Sequence, residues 1–223
     1  DGGMARAALG ASDVFQEELL PGKLNYQVSL LMDISGSTLT SMRSGGKAGE
    51  RPLDYITQAA MLVDRALGQI PQDEVDVEEY AFSDDAAIPL KEFGQRATPL
   101  KAAQTVHALL KGDHGGTQGV QAIQAAIARQ RKVGRPGARK LVLVISDGEF
   151  YPMEVDGRIL SAEESVRWVM EEHPDVRIFG IGIGPDAEDV AKTFGDHGLV
   201  AKDFSELVPK LADLLTRELK RGA

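Results

Sequence analysis

Cysteine is absent from the 223 residues. That excludes a disulfide framework, a thiolate zinc site and a thiol nucleophile, and leaves the redox compartment open. Long apolar runs are absent too. None is longer than Leu141 to Ile145, which has the length of a strand, far below the ~18 residues of a membrane span. Positive charge is scarce: 25 Lys and Arg stand against 34 Asp and Glu, a net charge of −9. Such a chain is ill suited to bind nucleic acid or an anionic membrane through its overall charge, and it attracts cations. The four histidines show no H-E-x-x-H or similar spacing. A G-x-x-x-x-G-K-[ST] phosphate loop, a G-x-S-x-G elbow and a Cys–His pair are all missing, so the commonest catalytic signatures are not present. The chain opens Asp1-Gly2-Gly3-Met4 without a signal-peptide pattern, and we expect a piece of a longer protein.

What is present reads as one α/β domain. A hydrophobic fraction of 43% with 26% charged residues is ordinary globular composition. Residues 1–25 carry no clear period and are expected to form a lead-in arm, with the domain over 26–223. Tyr26 to Met32 is a mostly apolar run of strand length that ends in Asp33. From Leu53 the apolar residues Ile56, Ala59, Ala60, Val63, Ala66, Leu67 and Ile70 recur at helical spacing. Val75 to Phe82 and Ala86 to Leu90 read as two strands joined across Ser83-Asp84-Asp85. Helices are expected from Pro99 to about Leu110 and from Val120 to Arg131. Lys140 to Ser146 and Val176 to Ile183 lack alternation and read as buried strands. Between them lie a loop to Leu160 and a helix over Ser161 to Glu172, opened by a Ser161/Glu164 capping box. A short helix over Pro185 to Phe194, a short strand at Leu199-Val200 and a final helix after Asp203 complete the chain. Strands alternating with amphipathic helices imply a doubly wound, mainly parallel central sheet with one antiparallel edge strand and helices on both faces.

One constellation carries chemistry. The first strand ends in Asp33-Ile34-Ser35-Gly36-Ser37, the central strand ends in Ser146-Asp147-Gly148, and Gly115-Gly116-Thr117 lies between them. In an open α/β sheet, ligands bind beyond the carboxyl ends of the strands where the strand order reverses. If the first and fourth strands are neighbours, Asp33 and Asp147 face one crevice and the Thr117 loop closes its third side. Asp33, Ser35, Ser37, Thr117 and Asp147 offer only oxygen, which suits a hard divalent cation: Mg²⁺, with Mn²⁺ or Ca²⁺ as alternatives. Three neutral hydroxyls leave such an ion electrophilic, ready for an incoming Asp or Glu.

These residues, D-x-S-x-S at 33–37, Gly-Gly-Thr at 115–117 and S-D-G at 146–148, resemble the metal-ion-dependent adhesion site of von Willebrand factor A domains. The resemblance covers roughly residues 26–220. It implies that the two serines and the threonine ligate the metal, that the aspartates bind directly or through water, and that a partner's carboxylate completes the shell. Ile181-Gly182-Ile183-Gly184-Pro185-Asp186 and the closing helix further resemble bacterial intracellular members, the subunits that work with MoxR- or chelatase-type AAA+ ATPases. That likeness implies such an ATPase or its target as partner and a cytoplasmic location.

Several other features have plainer readings. Gly182 to Ala187 fits G-x-G-x-x-A, yet it reads as a tight strand-to-helix turn because Asp203, the acid about 20 residues on, caps a helix. Asp84 and Asp85 are expected only to shape their turn. His114 reads as a solvated loop histidine, and Arg129, Arg131, Lys132, Arg135, Arg139 and Lys140 as a solvated basic face. Tyr151, Pro152 and Met153 are candidates for partner contact. The functional expectation is therefore a metal-dependent binding module and not an enzyme. The alternatives are a metal-independent scaffold and a metal-assisted hydrolase, the latter lacking a general base at fixed spacing from the ligands.

Overall fold

The computed structural model describes residues 24–39, 51–96, 98–111, 115–148, 150–184 and 186–221. The expected arm up to residue 23, the stretch 40–50 after the first motif, and His114 lie outside the described residues. Among the described residues the strands are β1 (Tyr26–Asp33), β2 (Val75–Phe82), β3 (Ile88–Lys91), β4 (Arg139–Ser146), β5 (Met153–Val155), β6 (Arg158–Leu160), β7 (Val176–Ile183) and β8 (Gly198–Ala201). The helices are α1 (Pro52–Leu67), α2 (Pro99–Lys111), α3 (Gly119–Lys132), α4 (Ala162–Glu172), α5 (Ala187–Phe194) and α6 (Phe204–Lys220).

Six strands form one sheet in the order β3-β2-β1-β4-β7-β8. Every pairing is parallel except β2 with β3, the antiparallel edge. The order reverses between β1 and β4, which pair in register from Tyr26 with Arg139 to Met32 with Ile145. This pairing places Asp33 beside Ser146 and Asp147 at the carboxyl ends of two adjacent strands. One face of the sheet packs on Leu53, Ile56 and Val63 of α1, Leu109 of α2 and Leu207, Leu211 and Leu215 of α6. The other packs on Ile123 and Ile127 of α3, Val166 and Val169 of α4, and Val190 and Phe194 of α5. Covering both faces explains why β1 is buried throughout and why the second half of β1 and the end of β4 are apolar without alternation.

Local chemistry sets the boundaries. Ser161 accepts from Glu164 N–H at 3.3 Å while the Glu164 carboxylate accepts from Ser161 N–H at 2.9 Å, the capping box read from the sequence. Asp203 caps α6 by accepting from Ser205 and Glu206 amides at 2.8 and 3.1 Å. The described residues of the G-x-G-x-x-A segment lead from the end of β7 into the start of α5. A Cβ on Gly182 would stand 2.1 Å from the Ala187 carbonyl, and Gly184 has φ +96. These glycines serve close strand-to-helix packing.

Four expectations need correction. The stretch before Leu160 contains a hairpin, β5 pairing antiparallel with β6, and not only loop. Its tight turn is Asp156-Gly157, both at positive φ, as a two-residue hairpin requires. Met153 is buried in the second core cluster and unavailable to a partner. The basic stretch is a solvated face only in part: Arg131, Lys132 and Arg139 are exposed, and the remaining members are held by other segments. Arg129 holds buried Glu78 at 3.1 Å and lies 3.5 Å over the Tyr80 ring, Arg135 donates to the Tyr26, Gln72 and Glu74 carbonyls, and Lys140 and Arg131 pair with Asp175. Finally, the strand expected over Ala86 to Leu90 runs from Ile88 to Lys91, and its partner β2 is buried throughout, acidic residues included.

Glu79 of β2 is 3% exposed and pairs at 2.6 Å with Lys91 of β3, 4% exposed, which also pairs with Asp64 of α1. Burial pushes the Glu79 carboxyl up to about 7; Lys91 opposes the rise and Asp64 adds to it. A folded-state pKa above the unfolded value means that between about 4.5 and about 7 the folded chain holds a proton the unfolded chain has lost. Stability should therefore fall as pH rises through that window. Glu79→Gln should flatten part of the slope, measured as urea midpoints at about pH 5 and about pH 7.5; an unchanged slope would contradict the assignment.

Candidate metal centre

Asp33 is fully buried at the end of β1. One carboxylate oxygen accepts from the Ser35 amide at 2.8 Å, and the other accepts from the Ser146 hydroxyl at 2.5 Å. The first bond curls the D-x-S-x-S loop back over the strand end, where residues 36–39 form a 3-10 turn closed by Thr38, whose hydroxyl donates to the Ser35 carbonyl at 2.7 Å. Within this turn the Ser35 and Ser37 hydroxyl oxygens lie 3.2 Å apart, and Ser37 donates to Asp147 at 2.9 Å. Asp33, Ser35, Ser37 and Asp147 thus form one connected chain of oxygens across β1 and β4.

Thr117 arrives from a third segment. Gly36 N–H donates to the Gly115 carbonyl at 3.0 Å, tying the two loops together. Thr117 is buried, and its carbonyl accepts from the Tyr151 amide at 3.0 Å. Two features escaped the sequence reading. Asp84 does more than shape its turn: its carboxylate accepts from the Gly116 amide at 2.7 Å. Ser146 of S-D-G orients Asp33. The cue for Ser146 was its place one residue before Asp147 on a strand neighbouring β1. Asp84 left no cue beyond standing at the carboxyl end of β2.

The electrostatics are those of two carboxyl groups crowded into one buried crevice. Burial raises the Asp33 carboxyl above its usual range, against the hydrogen bonds from Ser146 and Ser35. Burial, and next the charge of Asp33, push Asp147 up to about 7, while the Ser37 hydrogen bond opposes the rise. The groups acting on this pair are hydroxyls, backbone amides and other carboxylates, so the two carboxyl groups share one crevice where burial and mutual repulsion disfavour ionising both. Among the described residues no group of three or more His, Cys, Asp or Glu is placed to hold a metal ion. A cation here depends on the hydroxyls, and the donor set fits a hard ion. Neighbouring ligands on an octahedral shell of about 2.1 Å stand about 3.0 Å apart, and the Ser35–Ser37 and Ser37–Asp147 separations of 3.2 and 2.9 Å suit that spacing.

A cavity of about 840 Å³ lies at the other end of the sheet, lined by Ile70, Val75, Asp76, Lys91 and Arg135 among others. It shares no residue with this centre. Topology favours the crevice as the functional site, because ligands gather at the carboxyl ends of strands.

Fold and crevice together define a doubly wound α/β domain with an oxygen-donor site at its switch point. The family model for the von Willebrand factor type A domain matches residues 27–212, and the chain belongs to that family, whose domains are protein-interaction and adhesion modules. No curated protein matches the sequence. Among solved structures, the PilB minor pilin from Streptococcus sanguinis is similar at TM-score 0.60 and 15% identity, covering 90% of this chain and 63% of the pilin. Proximal thread matrix protein 1 from the mussel byssus, with a zinc-occupied MIDAS motif, is similar at TM-score 0.60 and 14% identity, covering 87% of this chain and 48% of its own. The SpRpn10 VWA domain is similar at TM-score 0.56 and 14% identity, covering 84% of this chain and 94% of that domain. The chain thus spans less than two thirds of the pilin and of the byssus protein. No helix among the described residues is long and apolar enough to cross a membrane.

The Ser146–Asp33 bond gives a direct test of this geometry. Ser146→Ala removes a donor from a buried carboxylate and should lower stability by about 1–3 kcal/mol in metal-free buffer. Urea denaturation checks this, and an unchanged midpoint would contradict the hydrogen-bonded arrangement.

Proposed function

We propose that this domain is a metal-dependent binding module, not an enzyme, that captures an acidic side chain of a partner protein through Mg²⁺ held by Asp33, Ser35, Ser37, Thr117 and Asp147. The observation that carries the reading is the convergence of two buried like charges with serine hydroxyls in one connected set of oxygens. Without a cation, Asp33 and Asp147 repel in a medium that screens them poorly. A bound Mg²⁺ supplies an electrophilic point that an incoming carboxylate can ligate. Asp33 and Asp147 supply the charge that retains it, while Ser35, Ser37 and Thr117 supply oxygen without further charge. The byssus protein's zinc-occupied motif on the same fold supports metal use by this kind of crevice. Mn²⁺ or Ca²⁺ would meet the same donors.

The partner-facing surface consists of the D-x-S-x-S loop, the Thr117 loop and the segment after Asp147. Tyr151, 51% exposed, stands beside Gly116 and offers an aromatic contact next to the captured carboxylate. The sequence likeness of residues 181–186 and the closing helix to subunits of AAA+ assemblies supports a MoxR- or chelatase-type ATPase, or its target, as the source of that carboxylate.

Two outcomes follow. Mg²⁺ at a hundredfold excess over its Kd should stabilise the native domain by about 2.7 kcal/mol in a thermal melt. Asp33→Ala should abolish the gain while circular dichroism stays native; identical melts in EDTA and excess Mg²⁺ would overturn the metal assignment. In a pull-down with a MoxR-type ATPase, capture should require Mg²⁺ and be lost in EDTA. Replacing one Asp or Glu of the ATPase should weaken capture as much as EDTA does, and binding that persists in EDTA would point to a metal-independent scaffold.

A further inference from the structure

Thr117 has a neutral hydroxyl and no charge to draw it toward an ion, so its position must be fixed by the backbone around it. That backbone is held from both sides. The Gly116 amide donates to the Asp84 carboxylate at 2.7 Å, and the Gln118 amide donates to the Ser83 carbonyl at 3.0 Å. The residues before and after Thr117 are therefore both anchored to the turn between β2 and β3. From the opposite side the Tyr151 amide donates to the Thr117 carbonyl at 3.0 Å.

The glycines show how tight this hold is. A Cβ on Gly115 would stand 2.7 Å from an Asp84 carboxylate oxygen, and one on Gly116 would stand 2.1 Å from the Tyr151 hydroxyl oxygen and 2.3 Å from ring carbons. Real Cβ contacts essentially never fall below about 3.0 Å. The Gly-Gly pair fits because the loop passes between the Asp84 carboxylate and the Tyr151 ring. Among these anchors Asp84 is the side-chain member, and it can be replaced without changing any residue of the Thr117 loop itself. It is exposed and caps no strand, so burial does not explain it.

We propose that Asp84 is a positioning residue for the metal centre: by holding Gly116 against Tyr151, it places the Thr117 hydroxyl at the cation, so that the turn between β2 and β3 sets cation affinity without supplying a ligand. This rests on the metal-dependent reading above. Groups that orient a ligand in this way are worth about 10- to 100-fold in metal affinity when removed.

The experiment is Mg²⁺ titration by calorimetry of the wild-type chain, Asp84→Ala, Asp84→Asn, Gly116→Ala and Gly116→Ala combined with Tyr151→Ala, with melts of each in EDTA. Asp84→Ala should bind Mg²⁺ about tenfold more weakly and melt in EDTA where the wild type does. Asp84→Asn keeps an oxygen able to accept from Gly116 and should recover most of the affinity. Gly116→Ala should bind weakly, and Tyr151→Ala should restore it by removing the ring its Cβ meets. Wild-type affinity in Asp84→Ala overturns the inference, and so does Asp84→Asn as weak as Asp84→Ala, because charge and not position would then be at work. A double variant no better than Gly116→Ala alone overturns the two-sided hold on the loop. A wild-type chain that takes no Mg²⁺ overturns the metal reading itself, whereas one that binds Mg²⁺ equally with and without Asp84 overturns only the positioning role.

Discussion

Two carboxylates buried at the ends of adjacent parallel strands set the terms for the rest of this structure. Asp33 and Asp147 stand side by side because β1 pairs with β4, and that pairing is where the strand order reverses. Each is desolvated, and Asp33 raises the pKa of Asp147. An arrangement of this kind costs stability unless hydroxyls, amides or a cation answer the charge. The surrounding residues meet that need. Ser146 and the Ser35 amide satisfy Asp33, Ser37 satisfies Asp147, and Gly36 ties the first loop to the loop that carries Thr117.

The remainder of the fold holds these ends still. A leucine- and isoleucine-rich core on one face and a valine-rich core on the other fix the central strands, and the turn between the edge strands β2 and β3 grips the Thr117 loop. Buried charge elsewhere is arranged differently. Glu78 and Glu79 on β2 each have a cation beside them, Arg129 and Lys91. The contrast is informative: Glu78 and Glu79 are answered by bases, whereas in the crevice Asp33 and Asp147 are answered by hydroxyls and an amide. That difference supports reading the crevice as a site for a cation from outside the chain.

Most of the architecture was legible in the sequence because its signals are local. Mostly apolar runs marked β1, β4 and β7, the Ser161/Glu164 pair marked the start of α4, and Asp203 marked the start of α6. The hydrogen-bonded grouping of Asp33, Ser35, Ser37 and Asp147 was legible from their spacing and their places at and beyond two strand ends. What was not legible depends on partners distant in the chain. Met153 looked like a loop residue free for contact, yet the hairpin turns it into the core and leaves Ile159 outside at 78% exposure. The arginines around residue 135 looked like a solvated face, yet they find carbonyls and carboxylates tens to more than a hundred residues away. Asp84 looked like a turn former, since nothing in its neighbourhood names Gly116, 32 positions on.

The central claim is that one divalent cation sits among Asp33, Ser35, Ser37, Thr117 and Asp147. Crystals grown with Mn²⁺ and measured at the manganese absorption edge test it most directly, because the anomalous signal locates the ion without reference to any assay. The account predicts a single strong peak in the crevice, at about 2.1–2.3 Å from the Ser35, Ser37 and Thr117 hydroxyl oxygens, and none in the Asp33→Ala variant. A crevice without a peak at saturating Mn²⁺, or a peak that survives Asp33→Ala, would contradict it.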